Sequence, residues 1–377
     1  MHMKAVVLAG GFGTRLRPLS CTRPKHLFPI GNKPQLDWTI EKLGKSGIKE
    51  AILAVNYMAD LYISHFRKTK KNLQVTFSRD IPLTDKRSAY PRPLGTGGPI
   101  KNVEKLIGRK EAFLVLNGDI LTNINYAELV KKHKSRSKAL ATIALYKVED
   151  PSRYGVAELT KDNKILSFTE KPPKEKAPSN LINAGIYVLE PEIFDYIPSG
   201  KPVSIEREVF PKLAEEKRLF GYDFEGLWID IGEPEDYLKA NKLWLDTEIG
   251  KNQIAKDVKL ETETDVKEPS TIDKGTIIGA QSKIGPYVTI GEQVTIGTGV
   301  HLQESIIFPS SVISDHTSIK NAIIGEAAII GSWVKIESEC LIGDHATIHD
   351  NVTLTKGVTV CPWKEVRESV LTPERLM

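Results

Sequence analysis

The chain has 377 residues, of which 40% are hydrophobic and 27% charged, and its formal net charge is +4. That length allows two or three domains, the composition is that of a soluble globular protein, and the small positive excess suits small polyanions while excluding a commitment to nucleic acid. No apolar run approaches the roughly 20 residues that span a bilayer. The opening MHMKAVVLAGG is too short and too quickly glycine-rich for a signal peptide, and Cys21, Cys340 and Cys361 are odd in number and lack metal spacing. A cytoplasmic protein is therefore expected, without membrane or nucleic-acid partners.

From Met1 to about Asp246 strands alternate with helices. KAVVLAG reads as a buried strand that ends in a glycine turn. QLDWTIEKLGKSG reads as a helix closed by Gly47, EAILAVNY as a strand, ADLYISHFRK as a helix and LQVTFS as a strand. A polar loop follows, then a helix from Gly98 to about Leu106, the strand AFLVLNGD, the helix YAELVKKHKS and the strand LATIALYKV. The basic runs RKTKK (67–71) and KKHKSRSK (131–138) sit at helix ends and read as solvated faces. Buried strands spaced by helices predict a mostly parallel sheet covered on both faces. Ligands gather at the carboxyl ends of such strands, which brings the turn after Leu8 near the Asn117-Gly118-Asp119 turn.

After Asp246 the pattern changes. Residues 247–270 are polar and weakly periodic, and read as a linker with at most one strand. From 271 to 377 aliphatic residues recur six apart: Ile272, Ile278, Ile284, Ile290, Ile296 and Leu302. The step shortens to five at Ile307 and at Ile324, and is six elsewhere through Leu354. Glycine often follows, as in Ile278-Gly279 and Ile342-Gly343. A six-residue period predicts a parallel β-helix of three short strands per coil, with stacked inward isoleucines and about five coils.

The stretch LAGGFGTRLRPLSCTRPKHLFP (8–29) fits neither familiar phosphate loop. A P-loop needs Gly-Lys-Ser/Thr where Thr14-Arg15 stands, and a dinucleotide turn needs glycine where Leu16 stands. Bare amides around Gly10, Gly11 and Gly13 suit phosphate oxygens, Arg15 can grip two oxygens, and Pro24 fixes the chain before Lys25. A tight turn with two surface cations is the alternative.

These residues resemble the signature of the nucleotide-sugar pyrophosphorylases, the sugar-1-phosphate nucleotidylyltransferases: LAGG-x-GTRL-x-P followed by Pro-Lys. PLGTGGPI, NGD, YGVAEL, FTEKP, NAGIYVL, SIEREVFPKLA and WIDIGEPEDYL follow in family order. The tail is similar to that of the mannose-1-phosphate guanylyltransferases. The resemblance implies a Rossmann-like mixed-sheet nucleotidyltransferase domain (1–246) and a left-handed parallel β-helix (271–377), joined by the linker. It also implies the reaction of a nucleoside triphosphate with a sugar 1-phosphate to give a nucleoside diphosphate sugar and pyrophosphate.

In that reaction a sugar-phosphate oxygen, already anionic, attacks the α-phosphorus in line. No general base is needed, and catalysis rests on positioning and charge neutralisation. The resemblance places Leu8, Gly10, Gly11, Gly13 and Thr14 along the nucleotide, with Arg15 and Lys25 neutralising its phosphates. Gly95, Thr96 and Gly97 would border the base and ribose at a helix start with free amides. Asp119 and Asp230 would hold Mg²⁺, although an aspartate after glycine serves equally as a turn former. Glu170 and Lys171 would take the sugar hydroxyls and 1-phosphate, with Tyr154, Gly155, Asn183 and Gly185 completing the pocket. Neighbours on a strand point oppositely, so Glu170 and Lys171 need a bend in the chain to serve one site.

The segment SRDIPLTDKRSAYPR (78–92) is longer and more basic than the acidic stretch usual before PLGT, which leaves the base wall open. The favoured pair is GTP with mannose 1-phosphate; UTP or dTTP with glucose 1-phosphate, and a non-catalytic regulatory subunit, remain alternatives. A further one is acyl transfer on the β-helix through His301, His316, His345 or His349. The bland role for the prism is homo-oligomer assembly through a flat side.

Overall fold

β1 (Lys4–Leu8) is a hydrophobic run whose Ala5, Val6 and Val7 are fully buried, so it can only be an interior strand. The structure, a computed structural model, describes residues 3–68, 73–79 and 93–377. Residues 69–71, the end of the first basic run, and all of 78–92 after Arg79 lie outside those described.

α1 (Gln35–Lys45), β2 (Glu50–Val55), α2 (Ala59–Lys68), β3 (Gln74–Arg79), α3 (Gly97–Asn102) and β4 (Phe113–Asn117) follow. Then come β5 (Ile120–Thr122), α4 (Tyr126–Lys134), β6 (Ala141–Lys147), β7 (Gly155–Leu159), β8 (Ile165–Glu170) and β9 (Leu181–Leu189). α5 (Phe210–Glu215), β10 (Leu219–Asp223), β11 (Trp228–Asp230) and α6 (Pro234–Trp244) complete the series.

A nine-stranded sheet runs β8-β7-β9-β4-β1-β2-β3, with β6 joined to β9 and β10 joined to β6. β1 pairs in parallel with both β2 and β4, while β9 pairs antiparallel with β4, β6 and β7. The sheet is therefore mixed. Its parallel half is the part read from the strand–helix alternation; in the antiparallel half only β6 is, because β7, β8 and β9 follow one another without intervening α-helices. The chain moves from β1 to one side through β2 and β3, then crosses to β4 on the other. The carboxyl ends of β1 and β4 thus flank a switch point, where open sheets bind ligands.

The chain forms two compact units, one of residues 3–11 and 36–230, the other of 12–35 and 231–377. In the second, three parallel sheets of eight, seven and six strands wind as a left-handed β-helix. Ile272 stacks on Ile290, Ile307, Ile324 and Ile342, and Ile278 on Ile296, Ile313, Ile330 and Ile348. Both five-residue steps fall on one corner of the prism, between the strand ending the third sheet and that opening the first.

The segment read as a linker holds strands at Gln253–Ile254, Lys259–Leu260 and Asp265–Val266, which pair with the next coil. Six-residue spacing therefore starts at Ile254. These positions are exposed or half-buried because nothing stacks beneath them, which is why the composition there is polar. The coils also continue past Leu354 to Val360, Val366 and Leu376. No helix among the described residues is long and apolar enough to cross a membrane, and Cys21, Cys340 and Cys361 are free thiols.

Ile324 is fully buried in this stack and Ile329, in the same coil, is 48% exposed. In denaturant titrations Ile324→Ala is expected to cost about 2–5 kcal/mol, as for other buried aliphatic truncations. Ile329→Ala should stay within about 0.5 kcal/mol of the parent; equal losses would contradict the inward stacking.

Candidate active site

The carbonyl of Leu8 accepts a hydrogen bond from the amide of Gly118 at 2.8 Å. The glycine turn after β1 and the NGD turn after β4 are thereby joined, as the sheet rule predicts. Ala9 is held from both sides: its amide donates to Ala54 O at 2.9 Å, and its carbonyl accepts from the Tyr62 hydroxyl at 2.9 Å. Burial, with the Asp119 carboxylate as a second cause, pushes the Tyr62 hydroxyl far above the usual tyrosine range. Asp119 therefore lies close enough to Tyr62 for its charge to act there. Gly11 is exposed, and a Cβ added to it would meet nothing within 4 Å, so the turn is open on that side.

β5 and β11 form a two-stranded antiparallel ribbon in which Asp230 stands directly opposite Ile120, the residue after Asp119. The two aspartates, 111 positions apart in the chain, thus occupy adjacent places in one ribbon. Two hard carboxylate donors fit Mg²⁺, which binds one or two carboxylates and completes its shell with phosphate oxygens and water. No cluster of three or more His, Cys, Asp or Glu side chains able to hold a metal occurs among the described residues. An ion here would depend on substrate oxygens for the rest of its shell.

Asn183 and Gly185 belong to a bulge in β9, where the register with β6 shifts between Asn183 and Tyr187. Gly185 takes φ +70°, and a Cβ would stand 2.7 Å from Asn117 Nδ2, so only glycine allows this approach. Asn183 accepts the Gly185 amide at 2.9 Å and donates from Nδ2 to the Tyr187 hydroxyl at 2.9 Å. Tyr187 is fully buried, and its pKa is raised chiefly by burial, then by Glu206, with Glu170 and Asp119 adding to it. One buried hydroxyl thus senses the aspartate of the NGD turn and two glutamates.

Glu170 ends β8 and is half-buried. Burial first, and the Glu206 carboxylate second, raise its pKa against the opposing pull of Lys171 and Arg207. Gly155 lies against it: a Cβ there would be 2.8 Å from Glu170 Oε2 and 2.6 Å from Phe168 Cζ. Lys171 adopts φ +52° and donates its amide to Tyr154 O at 3.0 Å. The strand alternation is therefore broken at the Glu-Lys junction. Tyr154 meets the Trp228 ring edge-on at 5.4 Å, and Trp228 Nε1 donates to Ala184 O at 2.9 Å.

Gly95, Thr96 and Gly97 are more structural than expected. A Cβ on Gly95 would overlap the Val203 carbonyl, and that carbonyl accepts the Gly97 amide at 2.8 Å. The amide expected to be free is therefore used. Thr96 Oγ1 donates to Glu206 Oε2 at 2.5 Å and accepts the Ile205 amide at 3.1 Å. Glu206 and Tyr187 were not singled out from the sequence. Glu206 lies within SIEREVFPKLA, where an acidic residue between Ile205 and Val209 of a buried apolar turn is the available signal.

Gly13, Thr14, Arg15 and Lys25 belong to the second unit. Gly13 takes φ +61° before the short turn Thr14–Leu16. Its missing Cβ would stand 3.6 Å from Lys25 Cβ, so the lysine stem packs beside it. Arg15 pairs with Glu233 at 3.2 Å while remaining 62% exposed. On the β-helix, His316 stacks on Trp333 and His345 on Trp363, and His349 faces Glu365 at 3.5 Å.

A glycine turn and two neighbouring aspartates at the switch point of a mixed α/β sheet form a site of the kind that nucleotidyl transfer can use. Residues 4–247 match the family model "Nucleotidyl transferase" and 266–376 match "GMPPB C-terminal domain". The chain belongs to the nucleotidyl transferase family. It is 41% identical over 254 residues to "Mannose-1-phosphate guanyltransferase" of Yarrowia lipolytica, covering 66% of this chain and 66% of that protein. It is 40% identical over 250 residues to the protein of that name in Saccharomyces cerevisiae, covering 65% of each. The chain thus spans about two thirds (66% and 65%) of the length of these curated relatives. The crystal structure of HddC from Yersinia pseudotuberculosis superposes with TM-score 0.54 at 32% identity, covering 64% of this chain and 99% of that one. The same protein complexed with GMP-PN gives TM-score 0.52 at 32% identity, with the same coverage.

The raised pKa of Glu170 means that ionising it costs more in the folded than in the unfolded chain. Its contribution is present below the ordinary glutamate pKa and is lost as pH rises through the folded value. Glu170→Gln is therefore expected to melt higher than the parent at neutral pH, with the gap closing as pH falls into the ordinary carboxylate range, and to lose turnover. Thermal scans across pH check the first expectation; a gap that widens in acid would reverse the assignment.

Proposed function

We propose that the protein condenses GTP with mannose 1-phosphate, giving GDP-mannose and pyrophosphate. The observation that carries this reading is the ribbon register that sets Asp230 beside the Asp119 turn, at the end of the strand next to β1. The guanyltransferase names of the 41% and 40% identical relatives support the substrate pair, as does the GMP-PN complex of HddC.

The turn at Gly10, Gly11, Gly13 and Thr14, open beside Gly11, receives the triphosphate. Arg15 and Lys25 offset its charge, so that a second phosphate anion can approach. Asp119 and Asp230 hold Mg²⁺, which when bound supplies charge neutralisation at the phosphates. Glu170 accepts sugar hydroxyls, Lys171 meets the sugar phosphate, and Asn183, fixed by Tyr187 and Gly185, orients the ring with Tyr154 and Gly155. Leu8 and the Gly95-Thr96-Gly97 turn shape the nucleoside side. The attacking oxygen is anionic before it binds, so the side chains position and neutralise rather than abstract a proton.

Residues 1–246 carry this chemistry in our reading, and the β-helix serves assembly in a cytoplasmic homo-oligomer. Ile277, Val312 and Ile329 support the assembly role: they align outward on one flat sheet at 38%, 37% and 48% exposure. Lysine at Val312 and Ile329 is expected to lower the mass seen by light scattering, and an unaltered mass would remove this face from assembly.

Pyrophosphate release with Mg²⁺, across GTP, UTP, dTTP, ATP and CTP crossed with mannose 1-phosphate and glucose 1-phosphate, tests the reaction. The expected maximum is GTP with mannose 1-phosphate. Another maximum would move the substrate, and silence from a folded, metal-loaded sample would favour a regulatory subunit. Asp119→Ala and Lys25→Ala should each lower turnover about a hundredfold or more while staying folded.

A further inference from the structure

Arg15 and Lys25 lie on a segment fastened both to α6 and to the β-helix. Phe28 is fully buried, 5.4 Å from the Tyr237 ring and 5.8 Å edge-on to Phe308. Arg375 donates to Arg17 O at 3.3 Å. Nearest to Lys25, Thr22 Oγ1 donates to Asp344 Oδ2 at 2.6 Å. The Arg23 guanidinium pairs with Glu326, lies 3.6 Å from the same Asp344 oxygen and sits 4.9 Å over the Phe308 ring.

Asp344 is buried, its side chain 4% exposed. Its other oxygen, Oδ1, accepts the Glu326 amide at 2.8 Å. That half of its bonding recurs in the coils: Asp315 Oδ1 accepts the Thr298 amide at 2.8 Å, and Asp350 Oδ1 accepts the Ser332 amide at 2.7 Å. In each case a glycine one coil below, Gly325, Gly297 or Gly331, leaves room for the carboxylate. Asp344 differs from Asp315 and Asp350 in spending its second oxygen on Thr22 and Arg23.

Thr22 and Arg23 immediately precede the stiff Pro24-Lys25 dipeptide. Pro24 holds φ −66° and ψ 140°, and Lys25 then opens a turn closed by the Phe28 amide on its own carbonyl at 3.0 Å. Little torsional freedom separates the anchored pair from the lysine. We infer that Asp344 is a positioning residue for Lys25: a coil of the β-helix fixes the height and direction from which the phosphate-neutralising cation leaves the chain. This rests on the role given to Lys25 above. The β-helix is then part of the catalytic apparatus as well as an assembly surface.

The test is steady-state kinetics on the full chain, with whichever nucleotide and sugar phosphate give turnover, alongside melting temperatures. Asp344→Asn keeps the shape but removes the charge, and Thr22→Val removes the loop side of the bond together with the weaker 3.2 Å contact of Thr22 Oγ1 with Leu19 O. Asp350→Asn makes the same change of charge at the matching coil bond without touching the loop. A misplaced catalytic group costs on the order of a hundredfold, so Asp344→Asn and Thr22→Val should lower kcat by about ten- to a hundredfold, with KM moving by about twofold or less. Asp350→Asn should leave kcat unchanged, and Thr22→Ser should restore it. Combined with Lys25→Ala, Asp344→Asn should add no further loss, because its effect passes through the missing lysine.

Parent-like kcat in Asp344→Asn and Thr22→Val, with Lys25→Ala impaired, would overturn the positioning role while leaving Lys25 in the site. Losses that multiply in the double variant would overturn it as well, since they would show an effect independent of the lysine. Parent-like turnover in Lys25→Ala would remove Lys25 from the site, and this inference with it. If Asp344→Asn melts too low to assay, the Thr22→Val and Thr22→Ser pair decides.

Discussion

The bond from the Gly118 amide to the Leu8 carbonyl is the fixed point of the first unit. It closes the carboxyl end of β1 onto that of β4, at the place where the sheet changes winding direction. From one side of this bond the glycine turn departs; from the other, Asp119 begins the ribbon that recruits Asp230. Tyr62 secures Ala9, one residue beyond Leu8, and Gly185 lets β9 press on Asn117, one residue before Gly118. The two aspartates are thus brought together by backbone pairing and by a glycine that allows close approach.

The raised pKa of Glu170 records a penalty for holding charge near Glu206 in a half-dry place, and sites that bind polyhydroxy or cationic partners commonly retain such penalties. Thr96 and Ser204 both donate to Glu206, so that carboxylate is satisfied by the loop it stabilises. The glycines around Thr96 answer to Val203 first, and the PLGTGG motif is in this structure a packing device as well as a candidate ligand border.

Much of this was legible in the sequence because period and turn chemistry are local. The six-residue repeat announced the β-helix, and the alternation of KAVVL, EAILAV and FLVLN with amphipathic helices announced the parallel half of the sheet. The first coil was missed because Ile254, Leu260 and Val266 keep the spacing without its glycines, in a polar setting that a terminal coil requires. The bulge at Asn183–Gly185 and the left-handed Lys171 were also out of reach. Both depend on which strands become neighbours, and a motif cannot state that. Glu206 was hidden for the same reason: its importance comes from Glu170, Tyr187 and Thr96, which approach it only in the folded sheet.

The anchoring of Thr22 by Asp344 spans 322 residues, and that of Arg17 by Arg375 spans 358. Both join the segment after β1 to coils far later in the chain. A ribosome adding about 5–20 residues per second delivers these partners on the order of tens of seconds apart. During that interval the first unit has all of its own strands, while the loop bearing Arg15 and Lys25 still lacks the surface against which it sets. Setting of the loop is therefore tied to synthesis of the coils around Asp344 and Arg375, and a nascent chain halted before them would carry the first unit's strands with an unset cationic arm.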